Sequence, residues 1–147
     1  MPDFSCEILT PHRRFYSGKA ESVTFVTFDG QIEILANHEG LVAPVRIGQL
    51  RLVTDGKVKK AAITEGFARV KEGRVDLFVD AAEWPEEIDR ERAEQALGRA
   101  AKRIAAETLA WRIDASKRAA ARAQNRLAIV AGESSPPSPG FDAELGS

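Results

Sequence analysis

The sequence predicts a β + α protein, with an N-terminal antiparallel β-sandwich followed by a C-terminal α-helical hairpin. Two observations carry this. Before Pro85 the chain alternates short apolar or β-branched runs with turns rich in Gly, Pro and Asp, the pattern of strands joined by hairpins. After it, from Glu86 to about Val130, there is no proline and Gly98 is the sole glycine, in a run dominated by the helix formers Ala, Arg and Glu. The expected units are a sandwich over 1–84, a two-helix unit over 85–131 and a disordered tail over 132–147. The stretch from Glu83 to Ala93 is the expected hinge, where a ligand or a rearrangement would act.

The strands follow in order. Phe4 to Leu9 is closed by Thr10-Pro11, and Ala20 to Phe28 by Asp29-Gly30. Gln31 to Leu35, Ile47 to Val53, Val58 to Thr64, Phe67 to Lys71 and Val75 to Val79 come next, separated by Gly40, Pro44, Gly48, Asp55-Gly56, Gly66 and Glu72-Gly73. Asp55-Gly56 and Glu72-Gly73 are hairpin signals, because a two-residue loop needs residues that tolerate positive φ.

The helical run places Ile88, Ala93, Ala96, Leu97, Ala100 and Ile104, then Leu109, Ile113, Ala120, Ala123 and Leu127, at helical spacing. Alanine lets two helices approach closely, which predicts an antiparallel pair packed on itself and on the sandwich. The connecting residues Ala105-Ala106-Glu107-Thr108 contain no Gly, Pro or Asn, so a single continuous helix from Glu86 to Val130 is also sterically open. A small alanine-lined interface buries modest area, and the hairpin is expected to be marginally held and able to open. Past Gly132 the Ser- and Pro-rich sequence is too poor in apolar residues to order itself.

Composition excludes several classes. The 147 residues are 44% hydrophobic, enough for a core, and contain no apolar run long enough to span a bilayer. The start, Met1-Pro2-Asp3, shows no export or organelle address, so the chain is expected to stay where it is made. Cys6 is the sole cysteine and reads as a small apolar residue on the first strand. With His12 and His38 as the only histidines, no metal or nucleophile-base constellation is present, and no catalytic residue is assigned. His38 is expected to make a loop contact with a partner, and Trp84 and Trp111 to be packing residues.

The net charge of -1 gives no global pull toward nucleic acid. Locally, however, Arg99, Lys102, Arg103, Arg112, Lys117, Arg118, Arg122 and Arg126 stand against only Glu107 and Asp114 between Ala96 and Val130. This basic stretch is either a solvated helix face or a binding surface. It supports a rival reading as a nucleic-acid- or protein-binding adaptor, although no aromatics interleave with the bases. The acids Glu86, Glu87, Asp89, Glu91 and Glu94 suit the start of the first helix.

Ile8-Leu9-Thr10-Pro11, Phe15-Tyr16-Ser17-Gly18 and Glu21-Ser22-Val23 resemble the opening of the ε subunit of F-type ATP synthases. Asp29-Gly30-Gln31-Ile32 with Leu35 and His38 resembles that family's central loop, Ile63-Thr64-Glu65-Gly66-Phe67-Ala68 its next signature, and Ile88-Asp89 with Arg92-Ala93 the start of its helical hairpin. The resemblance runs unbroken from about Phe4 to Val130. It departs at Ala36-Asn37-His38-Glu39-Gly40, where the family usually has Pro-Gly-His-Ala-Pro, and at Gln31, where an acid is common. It implies the same sandwich-and-hairpin fold and a non-catalytic role on the rotating central stalk, clamped to γ and resting on the c ring, coupling catalysis to proton or sodium flow. It implies helices that can rise toward the catalytic α and β subunits and inhibit ATP hydrolysis. It also implies a peripheral place on the cytoplasmic face of a bacterial plasma membrane, with membrane contact only through the c ring.

Some members of the family bind regulatory ATP between sandwich and hairpin, and the matching residues here are Glu83, Ile88, Asp89, Arg92, Ala93, Arg99, Arg122 and Arg126. No cofactor is otherwise required. In that reading Asp89 and Glu83 accept from the adenine amine while the guanidiniums grip phosphate. Arg122 and Arg126, four apart, share a helix face. The alternative is structural: Asp89 caps or pairs with Arg92, and Arg122 and Arg126 pair with acids of the first helix.

Overall fold

A computed structural model describes residues 2–132. Apart from Gly132, the expected disordered tail over 132–147 lies outside the described residues. The strands are β1 (Phe4–Leu9), β2 (Arg14–Ala20), β3 (Ser22–Thr27), β4 (Gly30–Leu35), β5 (Leu41–Val45), β6 (Gly48–Thr54), β7 (Lys57–Ile63), β8 (Gly66–Lys71), β9 (Arg74–Val79) and β10 (Ala82–Glu83). They form two five-stranded sheets, ordered β2-β1-β9-β8-β5 and β10-β7-β6-β3-β4. A 3-10 turn (Pro85–Glu87) leads into two helices, α1 (Arg90–Ala106) and α2 (Ala110–Val130).

The sandwich follows from period-two burial. In β1, Phe4, Cys6 and Ile8 point inward while Ser5, Glu7 and Leu9 face the other way. The same alternation puts Leu50 and Leu52 of β6, Val23 and Phe25 of β3, and Val75 and Leu77 of β9 into one core. Each large apolar side chain fully buried there contributes about 1.5–3 kcal/mol. Both expected hairpin turns form. Thr54 pairs with Lys57 across Asp55-Gly56, where φ is 51° and 71°, and Lys71 pairs with Arg74 across Glu72-Gly73.

Several elements differ from the sequence expectation. The expected strand from Ala20 to Phe28 is broken at Glu21: Ala20 ends β2, and β3 starts at Ser22. β2 and β5 were not expected as strands, and both lie at the edges of one sheet. β2 is mostly polar, and β5 carries Pro44, a residue an edge strand tolerates because one of its sides needs no ladder donor. The sandwich is also not wholly antiparallel, since β1 and β9 pair in parallel, Ser5 opposite Arg74. That pair joins the two ends of the sandwich sequence, and no local turn signal could have announced it.

The helical part starts later than Glu86. Pro85–Glu87 form the 3-10 turn, and α1 begins where the Asp89 carboxylate accepts from the Arg92 backbone N–H at 3.1 Å. The run is broken into a hairpin at Glu107. Its Oε1 accepts from the backbone N–H of Thr108 at 3.0 Å and Leu109 at 3.1 Å, and its other oxygen lies 3.5 Å from Arg112. The Leu109 N–H is the main reason this carboxyl sits below the usual range. A side chain thus does what a glycine turn does elsewhere. Ala93 and Ala100 of α1 and Ala123 of α2 are buried, as the alanine stripe requires.

Trp84 packs as expected, stacked on Phe15 with ring centroids 4.2 Å apart. Trp111 does not. It lies beside the hairpin turn, 65% exposed, with the Arg112 guanidinium 5.1 Å from its ring centre. Among the described residues no helix is long and apolar enough to cross a membrane.

Candidate functional site at the helix-sandwich seam

The seam begins with a clasp. Arg13, just ahead of β2, grips Glu87 with both terminal guanidinium nitrogens, at 2.7 and 2.9 Å, and donates to the Ala82 carbonyl at 3.0 Å. Glu87 also accepts from the Trp84 backbone N–H at 2.9 Å. The Arg13 hydrogen bond, helped by the Trp84 N–H, holds the Glu87 carboxyl below its ordinary range. With Trp84 stacked on Phe15, the linker is anchored to the sandwich as far as Glu87.

Further along, α2 lies against β6 and β7 and presents three polar side chains to the sandwich. Arg122 donates to Glu65, between β7 and β8, at 2.8 Å, and Arg126 donates through Nε to Glu83 of β10 at 2.6 Å. Between them, buried Asn125 donates to the Gly48 carbonyl at 2.8 Å and the Ile63 carbonyl at 3.5 Å. Helical spacing puts residues 122, 125, 126 and 129 on one face, and the buried Ile129 closes it. Arg122 is incompletely satisfied, because its Nε is buried without a hydrogen-bond partner.

Close approach beside Glu65 explains the glycine that follows it. A Cβ on Gly66 would lie 2.7 Å from Val79 Cα and collide with the Phe78 carbonyl.

Of the residues singled out from sequence, Glu83 and Arg126 are in direct contact. Arg122 joins the same seam through Glu65, so the acids facing these arginines come from the sandwich and not from the first helix. Asp89 serves as the α1 N-cap, bonded to the backbone of Arg92, whose side chain is exposed. Ile88 is half-buried at the end of the 3-10 turn, Ala93 is buried on α1, and Arg99 stands exposed on α1.

Four residues escaped sequence reasoning as parts of this site: Arg13, Glu65, Glu87 and Asn125. Glu65 carried a signal, lying within the signature Ile63 to Ala68. Asn125 carried another, as an amide inside an apolar stripe. Arg13 carried none, since its partner is 74 residues away.

Elsewhere, Asp76 of β9 is almost fully buried on the outer face of its sheet. Burial pushes its carboxyl up, but hydrogen bonds from Arg74 at 3.0 Å and Arg69 at 3.1 Å outweigh that and hold it low. Burial pushes the Cys6 thiol up to about 12, which leaves it unreactive. His38 Nδ1 lies 2.7 Å from the Glu39 carbonyl. An open groove of about 710 Å³ runs between the β1–β2 loop and β8–β9, with Pro11, His12, Phe67, Phe78 and Asp80 among its walls. None of the residues expected to hold nucleotide lines it. Among the described residues no cluster of His, Cys, Asp or Glu could hold a metal ion.

Residues 3–85 match the family model for the ATP synthase, Delta/Epsilon chain, beta-sandwich domain. An ATP synthase epsilon chain from Caldicellulosiruptor bescii is 42% identical over 130 residues, covering 88% of this chain and 95% of that one. The one from Ruminiclostridium cellulolyticum is 43% identical over 130 residues, covering 88% and 97%. A chain in the Euglena gracilis mitochondrial ATP synthase structure comprising OSCP, F1 and c-ring superposes with a TM-score of 0.77 at 26% identity, over 88% of this chain and 83% of that one. A chain from the Tetrahymena thermophila central stalk and c-ring shares the fold at a TM-score of 0.59 and 13% identity, over 86% of this chain and 95% of that one.

Proposed function

The chain belongs to the ε-chain family of ATP synthases, and from that premise we propose that it is a non-catalytic central-stalk subunit that also regulates ATP hydrolysis. In this reading the sandwich is held by γ and rests on the c ring, on the cytoplasmic face of a bacterial membrane. The two helices leave the sandwich to reach α and β, where the basic stretch from Arg99 to Arg126 is drawn to acidic surface. The same stretch is less suited to nucleic acid, because Arg122 and Arg126 already face carboxylates.

The observation that carries the regulatory part is the construction of the seam. α2 meets the sandwich through a face that carries Arg122, Asn125 and Arg126 as well as the buried Ile129, so much of what holds it there is polar contact that can be exchanged for water or another partner. The linker, by contrast, is clasped through Glu87, which puts the pivot at Ile88 and Asp89.

Regulatory ATP is part of this reading: of its residues, Glu83, Arg122 and Arg126 lie at the seam, while Ile88, Asp89, Arg92, Ala93 and Arg99 would join from the linker and α1. The orphaned Nε of Arg122 is a donor suited to a phosphate oxygen. Nucleotide bound there favours the docked helices to the extent that it prefers them over the extended state. Co-purification of the tagged chain with α, β and γ tests the assembly. Calorimetric titration with ATP tests the ligand: heat at up to millimolar nucleotide, lost in Arg122→Ala/Arg126→Ala, is expected, and no heat would remove ATP sensing.

A further inference from the structure

Arg122 and Arg126 are the phosphate-binding candidates, yet both are already engaged by carboxylates of the sandwich, Glu65 and Glu83. Resting on the nucleotide reading above, we infer that Glu65 is an internal stand-in for the ligand. It latches α2 to the sandwich when nucleotide is absent and competes with a polyphosphate for Arg122 when nucleotide is present.

Three features support the exchange. The Glu65 contact is one-sided: a single oxygen, Oε1, meets a single nitrogen of Arg122 at 2.8 Å. Arg122 Nε, buried and without a partner, remains unsatisfied in that arrangement. An anion that meets two guanidinium nitrogens at once removes this deficit, and phosphate oxygens have the geometry for it. Glu65 itself is 38% exposed on its side chain and Arg122 39%, so the carboxylate can turn to water once released, without a buried charge being left behind. The site therefore has a counterion good enough to hold the helix and poor enough to be displaced.

Glu65 is outside the set of residues proposed to touch nucleotide, which makes Glu65→Gln the informative variant. Glu72→Gln, the same charge change on the β8–β9 turn, controls for net charge. Two quantities are read on the full-length chain: amide exchange across α2 without nucleotide, and the Kd for ATP by calorimetry. Glu65→Gln is expected to speed α2 exchange and, at the same time, to tighten ATP binding, each by about two- to fivefold for a half-exposed pair. Glu72→Gln should move neither.

If Glu65→Gln binds ATP no more tightly than the native chain, or if α2 exchange is unchanged, the inference is overturned. Should the native chain bind no ATP, the nucleotide reading fails separately, and competition for Arg122 fails with it. The exchange measurement then tests the latch alone, since faster α2 exchange in Glu65→Gln would show that Glu65 holds the helix for its own sake.

Discussion

The side-chain amide of Asn125 donates at 2.8 Å to the main-chain carbonyl of Gly48, so α2 is fixed to the backbone at the start of β6. A helix held this way has one register on the sheet, because sliding by a residue would bury the amide against apolar groups. Asn125→Ala removes the donor and should cost about 1–3 kcal/mol, the usual penalty for a buried group left unpaired. The loss should appear as faster amide exchange in α2, with exchange in β3 and β6 unaltered. Equal acceleration in both would mean that Asn125 supports the whole fold and not the docking of the helix.

Asp76 should govern part of the acid stability of the sandwich. Its carboxyl is lower in the folded chain than in the unfolded one, despite burial, because Arg74 and Arg69 hold it. Its contribution is therefore complete above the unfolded value of about 3.9 and is lost as pH falls through the folded value. Asp76→Asn should cost about 1–2 kcal/mol at neutral pH, since both guanidinium partners are half-exposed and screened. It should also flatten the stability curve below about pH 4, which urea denaturation at a series of pH values would read.

The clasp between Arg13 and Glu87 should loosen in acid for the same reason. Glu87 is held low in the folded chain, so its contribution is present above about pH 4.3 and disappears as pH falls through its folded value. Glu87→Gln should mimic the acid state at neutral pH. Both ions are partly exposed, so the effect is at most about 1 kcal/mol and local. Trp84 fluorescence should report it, as the ring unstacks from Phe15.

Glu107 should decide whether the helical run bends or continues. Its carboxylate satisfies the backbone N–H groups that a continuous helix would point at carbonyls. Replacing it with the strong helix former in Glu107→Ala removes that alternative and should raise helicity by circular dichroism. Spin labels at exposed Lys102 and Arg118 should move apart as a longer helix gains population. An unchanged distance distribution would locate the determinant of the turn elsewhere.

The legible parts of this protein were those with a local cause. Asp55-Gly56 makes its turn because positive φ at two successive residues suits few others, and β1 and β6 are visible in their alternation. Strands β2 and β5 were invisible because β2 is largely polar and β5 carries Pro44, which an edge strand can accommodate. The break at Glu107 was open either way, since a glutamate favours helix unless its carboxylate turns back on the next amides. The candidate site was half legible. Glu83, Arg122 and Arg126 could be named from the family resemblance, but Arg13, Glu65 and Asn125 acquire a role only through partners 57 or more residues away.

By itself the sequence determined the switch from strands to helices at Pro85, most of the sandwich strands with their hairpin turns, and the alanine face that lets two helices meet. These depend on propensity and period, which act over a few residues. Only the tertiary structure decided the parallel pairing of β1 with β9, the hairpin in place of a long helix, and which carboxylates face Arg122 and Arg126. Those depend on pairing between distant segments, where the hydrogen bond or ion pair exists only after the chain has closed a long loop.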